Sequence, residues 1–303
     1  MTGGSATTEY APAGAQVDAR QLDNAVRRAS DSLLALQHGD GHWVFELEAD
    51  ATIPAEYILL EHYLGRIQPE LQQQIARFIR AAQGAHGGWP LFYGGDLDIS
   101  CSVKAYFALK AVGDPVDAPH MARARAVILE RGGARCCNVF TRITLALFGE
   151  LPWRAVPVMP VEIMLLPGWS PFHIAKVSYW SRTVLVPLLV LMTMRPRARN
   201  PDRVGIGELF VEPPETVRDW ISGPTKSPLA RGFAVLDRML RSAEPFFPPD
   251  ARRRAIDKAV EFVTERMNGE DGLGGIFPAM ANTVMMLDCL GYRACLSRAN
   301  GRR

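Results

Sequence analysis

The chain has 303 residues, enough to bury a large core, and 48% of them are hydrophobic with a mean hydropathy near zero, which fits a globular protein rather than a disordered or membrane-spanning one. A formal charge of +2 supplies no general basic field, so nucleic acid is not an expected partner. Cys101, Cys136, Cys137, Cys289 and Cys295 form an odd set without Cys-x-x-Cys spacing, which points to reduced thiols in a cytoplasmic setting, and the six histidines show no metal-ligand spacing.

Residues 1–20 are small and polar, without the cationic start and apolar stretch of a signal peptide, and are expected to form a mobile tail. From there a helical period recurs almost to residue 290: Leu22–Val26, Tyr57–Leu64, Leu71–Ala82, Val103–Val112, Met121–Leu129, Val139–Phe148, Val177–Met194, Phe233–Leu240, Ile256–Met267 and Ala281–Leu290. No alternating strand pattern rivals it. Gly113-Asp114-Pro115 and Gly149-Glu150-Leu151-Pro152 stop one helix and start the next. The apolar run Thr183–Met194 is shorter than the ~20 residues of a spanning helix and contains Pro187, so it predicts a buried helix. Residues 195–229 carry six prolines and no sustained period. They predict a long functional loop crossing the helical array, with Leu209-Phe210-Val211 and Trp220-Ile221 apolar enough to touch a bilayer or a second domain.

Two segments share one pattern. Gln37-His38-Gly39-Asp40-Gly41-His42-Trp43 and Gln83-Gly84-Ala85-His86-Gly87-Gly88-Trp89 both read Gln-x-x-x-Gly-x-Trp at the end of a predicted helix. A repeated helix-to-loop junction marks an array of helix pairs that bury their apolar faces only by stacking. Gln can bond carbonyls at its own helix end or open amides of a neighbour, Gly supplies a left-handed turn, and Trp lies close to the amide. Residues 258–275 keep the shape with Gln and Trp replaced, a degenerate third copy.

With these repeats, the motifs Val139-Phe140-Thr141-Arg142, Pro160-Val161-Glu162-Ile163-Met164, Ser178-Tyr179-Trp180-Ser181-Arg182 and the stretch from Gly269 to Met280 resemble the squalene-hopene cyclases, in order, from about residue 21 to Tyr292. The resemblance implies an all-α fold: an α/α barrel (toroid) over 21–292, one of two barrels that enclose an apolar cavity in a monotopic membrane protein. It implies proton-started polycyclisation of squalene or a related polyprenoid to hopene-type triterpenoids, with no metal or organic cofactor. That chemistry needs a strong carboxylic acid and aromatic faces for a travelling carbocation. The family's acid lies in an Asp-x-Asp-Asp-Thr motif, and no Asp-x-Asp-Asp occurs in these 303 residues.

The expectation is therefore the N-terminal half of a cyclase, truncated, inactive alone, cytoplasmic or peripheral on the inner membrane face, and completed by a C-terminal half. Residues 293–303 are read as a basic tail outside the family pattern. The alternatives are half of a split cyclase, a non-catalytic isoprenoid-binding or interaction module, and, more remotely, an α/α-barrel glycosidase using Glu46, Glu48, Asp50 or Asp96.

Carried over by motif, Phe140, Trp180, Phe277 and Pro278 are expected to line the cavity, with Phe277 standing where some members have Gln. Composition alone makes each a core residue. Glu56, near a Glu of the family's polar, water-holding patch, is the other candidate, with a helix-start carboxylate as its structural reading. Lys104 and Asn138 depart from that patch, standing where members are acidic and basic. Asp98, in Gly95-Asp96-Leu97-Asp98-Ile99-Ser100, mimics the acid motif, but Ile99 replaces its paired carboxylate and a helix cap is expected. Cys136-Cys137 reads as packing.

Overall fold

The computed structural model describes residues 18–45, 50–217, 220, 228–267 and 272–292. Among them are ten α-helices and no strand. The chain divides after Glu48 into two compact units.

The first unit contains α1 (Ala19–Ala35), capped by Asp18, whose carboxylate accepts the Arg20 amide at 3.0 Å. The helix thus takes in the last residues assigned to the tail. Residues 1–17 lie outside the described residues.

The second unit holds α2 (Thr52–Leu64), α3 (Pro69–Ala81), α4 (Ile99–Ala111), α5 (Pro119–Glu130), α6 (Val139–Phe148), α7 (Tyr179–Met194), α8 (Pro228–Ala243), α9 (Pro249–Thr264) and α10 (Phe277–Cys289). Two kinds of helix are present. The segments α3 and α9 carry an apolar stripe and bury only residues such as Ala76 and Ile79, or Ala259 and Val263. The inner helices are apolar nearly all round, and ten consecutive residues of α4, Ser100–Leu109, are buried. An inner ring follows: α2 packs on α4 and α10, and α10 on α7, while Phe107 of α4 meets Phe148 of α6 edge-on at 5.0 Å. This is the α/α barrel of paired helices.

The ends of the inner helices are specified locally. Asp98, Asn138 and Ser178 cap α4, α6 and α7 by accepting amides of the first turn. Gly65 (φ 60°) and Gly149 (φ 80°) close α2 and α6 in the left-handed conformation that suits glycine. Pro187 inside α7 forfeits one helical hydrogen bond. The helix persists because Val186 to Met192 are all buried, so packing outweighs the local loss.

The proline-rich segment after α7 crosses the ends of the inner helices. Ala198 N–H donates to the Leu147 carbonyl (2.8 Å), Arg199 N–H to Tyr63 (3.0 Å) and Asn200 N–H to His62 (3.0 Å). It thereby satisfies last-turn carbonyls of α6 and α2 that a helix end leaves open. Lys110 donates to the Gly205 carbonyl (2.6 Å) and to Glu208 (2.5 Å), Tyr106 to Glu208 (3.0 Å), and Ile206 N–H to Glu150 (2.9 Å). Leu209 is fully buried and Trp220 is 7% exposed, so these two are core residues of the same unit rather than a free apolar surface. Val211 remains exposed, and Ile221 lies outside the described residues.

Candidate functional site

The two repeat copies have one geometry. Gln37 Nε2 donates to the Gly41 carbonyl at 2.6 Å and Gln83 Nε2 to Gly87 at 2.7 Å. Trp43 Nε1 donates to Leu33 (2.6 Å) and Trp89 Nε1 to Ile79 (2.7 Å), each ten residues back. Gly41 (φ 92°) and Gly87 (φ 89°) make the left-handed turn. Gln83 also donates to the His120 carbonyl at the start of α5 (2.8 Å) and accepts from Arg123 (3.1 Å), so this copy ties α3 to α5. In the degenerate third copy, residues 268–271 lie outside the described residues.

A cavity of about 290 Å³ opens among all five inner helices. Leu59 and Tyr63 of α2, Ile143 and Leu147 of α6, Val184 and Leu188 of α7 and Met285 of α10 form its apolar wall. A polar end comprises Thr52 and Glu56 of α2, Lys104 of α4, Asn138 at the cap of α6 and Asn282 of α10. Lys104 Nζ lies 2.7 Å from Glu56 Oε1, with side-chain exposures of 6% and 22%. Burial pushes the Tyr63 phenol above its ordinary range, so it remains a neutral donor at the wall. Burial also raises the Cys101 thiol to about 11 and Cys137 to about 12, which keeps both protonated and poorly nucleophilic.

Of the residues singled out from sequence, Phe140, Glu56 and Pro278 line this cavity. Phe140 is 48% exposed. Trp180 and Phe277 are outside the lining. Trp180 shares a helix face with Val184 and Leu188, at i, i+4 and i+8, but sits one turn beyond them. It is 56% exposed, edge-on to Tyr179 at 5.4 Å, and close enough to Gly274 that a Cβ there would come within 2.2 Å of its ring. Phe277 is half-buried and tilted against Tyr57 at 6.3 Å, because the first turn of α10 aims it at α2 rather than into the lumen. Glu56 is an ion-paired wall residue, not an exposed helix-start carboxylate.

Among the described residues, the other carboxylates singled out from sequence serve as local caps or stand exposed. Asp98 Oδ1 accepts the Cys101 amide at 2.7 Å as the cap of α4, Asp50 accepts the Thr52 amide at 2.8 Å, and Asp96 is exposed. Glu46 and Glu48 lie outside the described residues. Among the described residues no three His, Cys, Asp or Glu side chains form a metal-sized group, and no helix is long and apolar enough to cross a membrane.

Sequence reasoning noted Lys104 only as a departure and passed over Asn282. Lys104 is the one charged side chain in the buried run Ser100–Leu109, and Asn282 is the one strongly polar side chain of the apolar stretch Phe277–Leu287. That was the available signal, since buried polar groups need partners or a cavity.

Comparison with known proteins agrees with this architecture. Residues 26–298, past Tyr292, match the squalene-hopene cyclase N-terminal domain model. The chain is 56% identical over 272 residues to a squalene-hopene cyclase of Bradyrhizobium diazoefficiens and 59% identical over 272 residues to one of Zymomonas mobilis, in each case 89% of this chain and 41% of the relative. It is 34% identical over 277 residues to that of Alicyclobacillus acidocaldarius, 90% of this chain and 42% of the relative. The chain thus spans about two fifths of the length of these relatives. On the matched model and these identities, the chain belongs to the squalene-hopene cyclase N-terminal domain family.

Proposed function

We propose that this chain supplies one wall of the polyprenoid-binding cavity of a triterpene cyclase acting on squalene or a related polyprenoid in hopanoid formation. The single observation that carries the reading is convergence: five helices place an apolar wall and one polar end around a common cavity, in a chain of this family. The exposed Trp180 continues the stripe of Val184 and Leu188, so the binding surface extends past the cavity toward further apolar cover. An aromatic face there suits a cationic intermediate.

The residues of this chain bind and orient in this reading, and they do not start the reaction. Protonating an unactivated alkene takes a tuned strong acid. No Asp-x-Asp-Asp motif is present, the near match Asp98 is engaged as a helix cap, and Glu56 is already paired with a lysine. The acid is to be contributed by a C-terminal cyclase half. The apolar residues Phe233, Val235 and Met239 of α8, each more than half exposed, support peripheral membrane contact alongside that partner.

The test is incubation of the purified chain with squalene, alone and with a C-terminal half supplied by a squalene-hopene cyclase. Binding without product from the chain alone, and cyclised product from the mixture, is the expected result. Pentacyclic product from the chain alone overturns the division of labour, and failure to bind any polyprenoid overturns the cavity assignment.

A further inference from the structure

The cavity is open at one end and blind at the other. Its lining residues on α6 become less exposed along the helix, from Phe140 (48%) through Ile143 (4%) to Leu147 (1%). On α2 the lining runs from Thr52, half-buried in the first turn, to Tyr63, 2% exposed in the last. At the rise of an α-helix, the distance from Thr52 to Tyr63 is about 16 Å. The deep end is closed from outside by the crossing segment, whose consecutive residues Ala198 and Arg199 donate their amides to the carbonyls of Leu147 and Tyr63. Thr52 and Asn138 mark the helix starts at the open end. Below them the walls are Leu59, Ile143, Leu147, Phe148 and Leu188, and Thr144 spends its hydroxyl on the Phe140 carbonyl at 3.3 Å.

Tyr63 stands at that blind end. A side chain leaves an α-helix tilted toward the N-terminus, so the ring of a last-turn residue leans back up the lumen instead of over the helix end. The other aromatic ring at this depth, Phe148, is turned edge-on to Phe107 at 5.0 Å and serves as side wall. Burial keeps the Tyr63 phenol neutral, so the deep end carries no charge there.

We infer that Tyr63 is the floor of a blind apolar channel and fixes how far a linear isoprenoid hydrocarbon enters the barrel. The inference rests on the assignment of the cavity to isoprenoids and adds the residue that sets its depth. Carbon atoms lodged between the mouth and Tyr63 leave water and contribute to binding, whereas those beyond the mouth stay in solvent when this chain acts alone. Affinity in a series of increasing length therefore rises and then levels off, and the side chain at position 63 decides where.

Calorimetric titration of the full chain with myrcene, farnesene and β-springene, linear hydrocarbons of ten, fifteen and twenty carbons, tests this. Wild type should gain about tenfold or more from ten to fifteen carbons and no more than about twofold from fifteen to twenty. Tyr63→Ala lowers the floor, so a gain of about tenfold should extend to twenty carbons. Tyr63→Trp raises it, and the gain from ten to fifteen carbons should fall below about threefold. Tyr63→Phe keeps the volume and should reproduce wild type. Since Tyr63→Ala opens a void in the core and can unfold the barrel, Tyr63→Trp, which grows into existing space, decides the matter by itself. An unchanged length profile in folded Tyr63→Trp overturns the inference and leaves the isoprenoid cavity standing. A wild-type series that climbs without levelling does the same, as does a shifted profile in Tyr63→Phe, which assigns the depth to the hydroxyl. Binding of none of the three by folded wild type removes the cavity assignment and this inference with it.

Discussion

At the scale of single residues, the same hydrogen bond has different value in different surroundings. Trp89 and Trp43 donate to the carbonyl ten residues earlier in matching fashion, yet Trp89 is fully buried and Trp43 is 42% exposed. Trp89→Ala should therefore lose about 3–5 kcal/mol of unfolding free energy and Trp43→Ala roughly 1 kcal/mol or less, read from urea denaturation of each variant. Trp89→Phe, which keeps most of the ring but orphans the Ile79 carbonyl, should fall between them. Thiol reactivity follows burial in the same way. Cys136 is exposed, whereas Cys101 and Cys137 are buried with raised pKa values, so iodoacetamide should label Cys136 well ahead of the other two in the native state, as read by peptide mass spectrometry.

At the scale of elements, the crossing segment after α7 is held by helix ends and by charges. One of its anchors is the His62 carbonyl, and the His62 ring is itself 1% exposed, with Nδ1 lacking a partner and Nε2 3.3 Å from Gln72. Burial lowers the pKa of this ring below its ordinary value. The folded form thus prefers the neutral imidazole, and the unfolded chain takes up the proton first as pH falls. The contribution is complete above about pH 6.5 and is lost as acidity increases from there toward the lowered folded value. Urea midpoints should fall between pH 7 and 5, and His62→Gln, which cannot titrate, should flatten that slope relative to wild type. Asp114 acts lower on the scale. Burial opposes its ionisation, but hydrogen bonds from Arg80 and His120 outweigh it and hold the carboxyl below the ordinary range. Its stabilisation is present at neutral pH and disappears only as pH falls below about 4.

Much at this scale was readable in advance. Each helical period in the sequence corresponds to a helix, because Asp98, Asn138, Ser178, Gly65 and Gly149 put start and stop signals next to apolar periodicity. The crossing loop was legible as a loop from its prolines. Its landing places were not, since Leu209 and Trp220 bury themselves through contacts with helices far away in the chain, and apolar character alone cannot separate an inward-facing side chain from one reserved for a membrane.

At the scale of the whole molecule, function resides in the shared space between helices. Ala281 of α10 is 7% exposed and lines the cavity, so Ala281→Leu places extra methyl groups in empty volume. Isoprenoid affinity should drop about tenfold or more while the melting temperature holds or rises, since the added atoms replace a void rather than displace packed neighbours. Calorimetry and a thermal melt on one preparation check both parts.

What the sequence determined by itself is the repeat. A Gln, a Gly and a Trp at fixed spacing dictate a local turn and its hydrogen bonds within a dozen residues, and successive apolar helices then have no option but to stack. Only the tertiary structure decided which side chains meet in the lumen. Glu56 and Lys104 lie 48 positions apart, and Phe277 precedes Pro278 directly yet faces away from the cavity that Pro278 lines. Local signals fix helix phase to within a turn. The choice of inward face is made by the close packing of all the inner helices together, a constraint that no single segment carries.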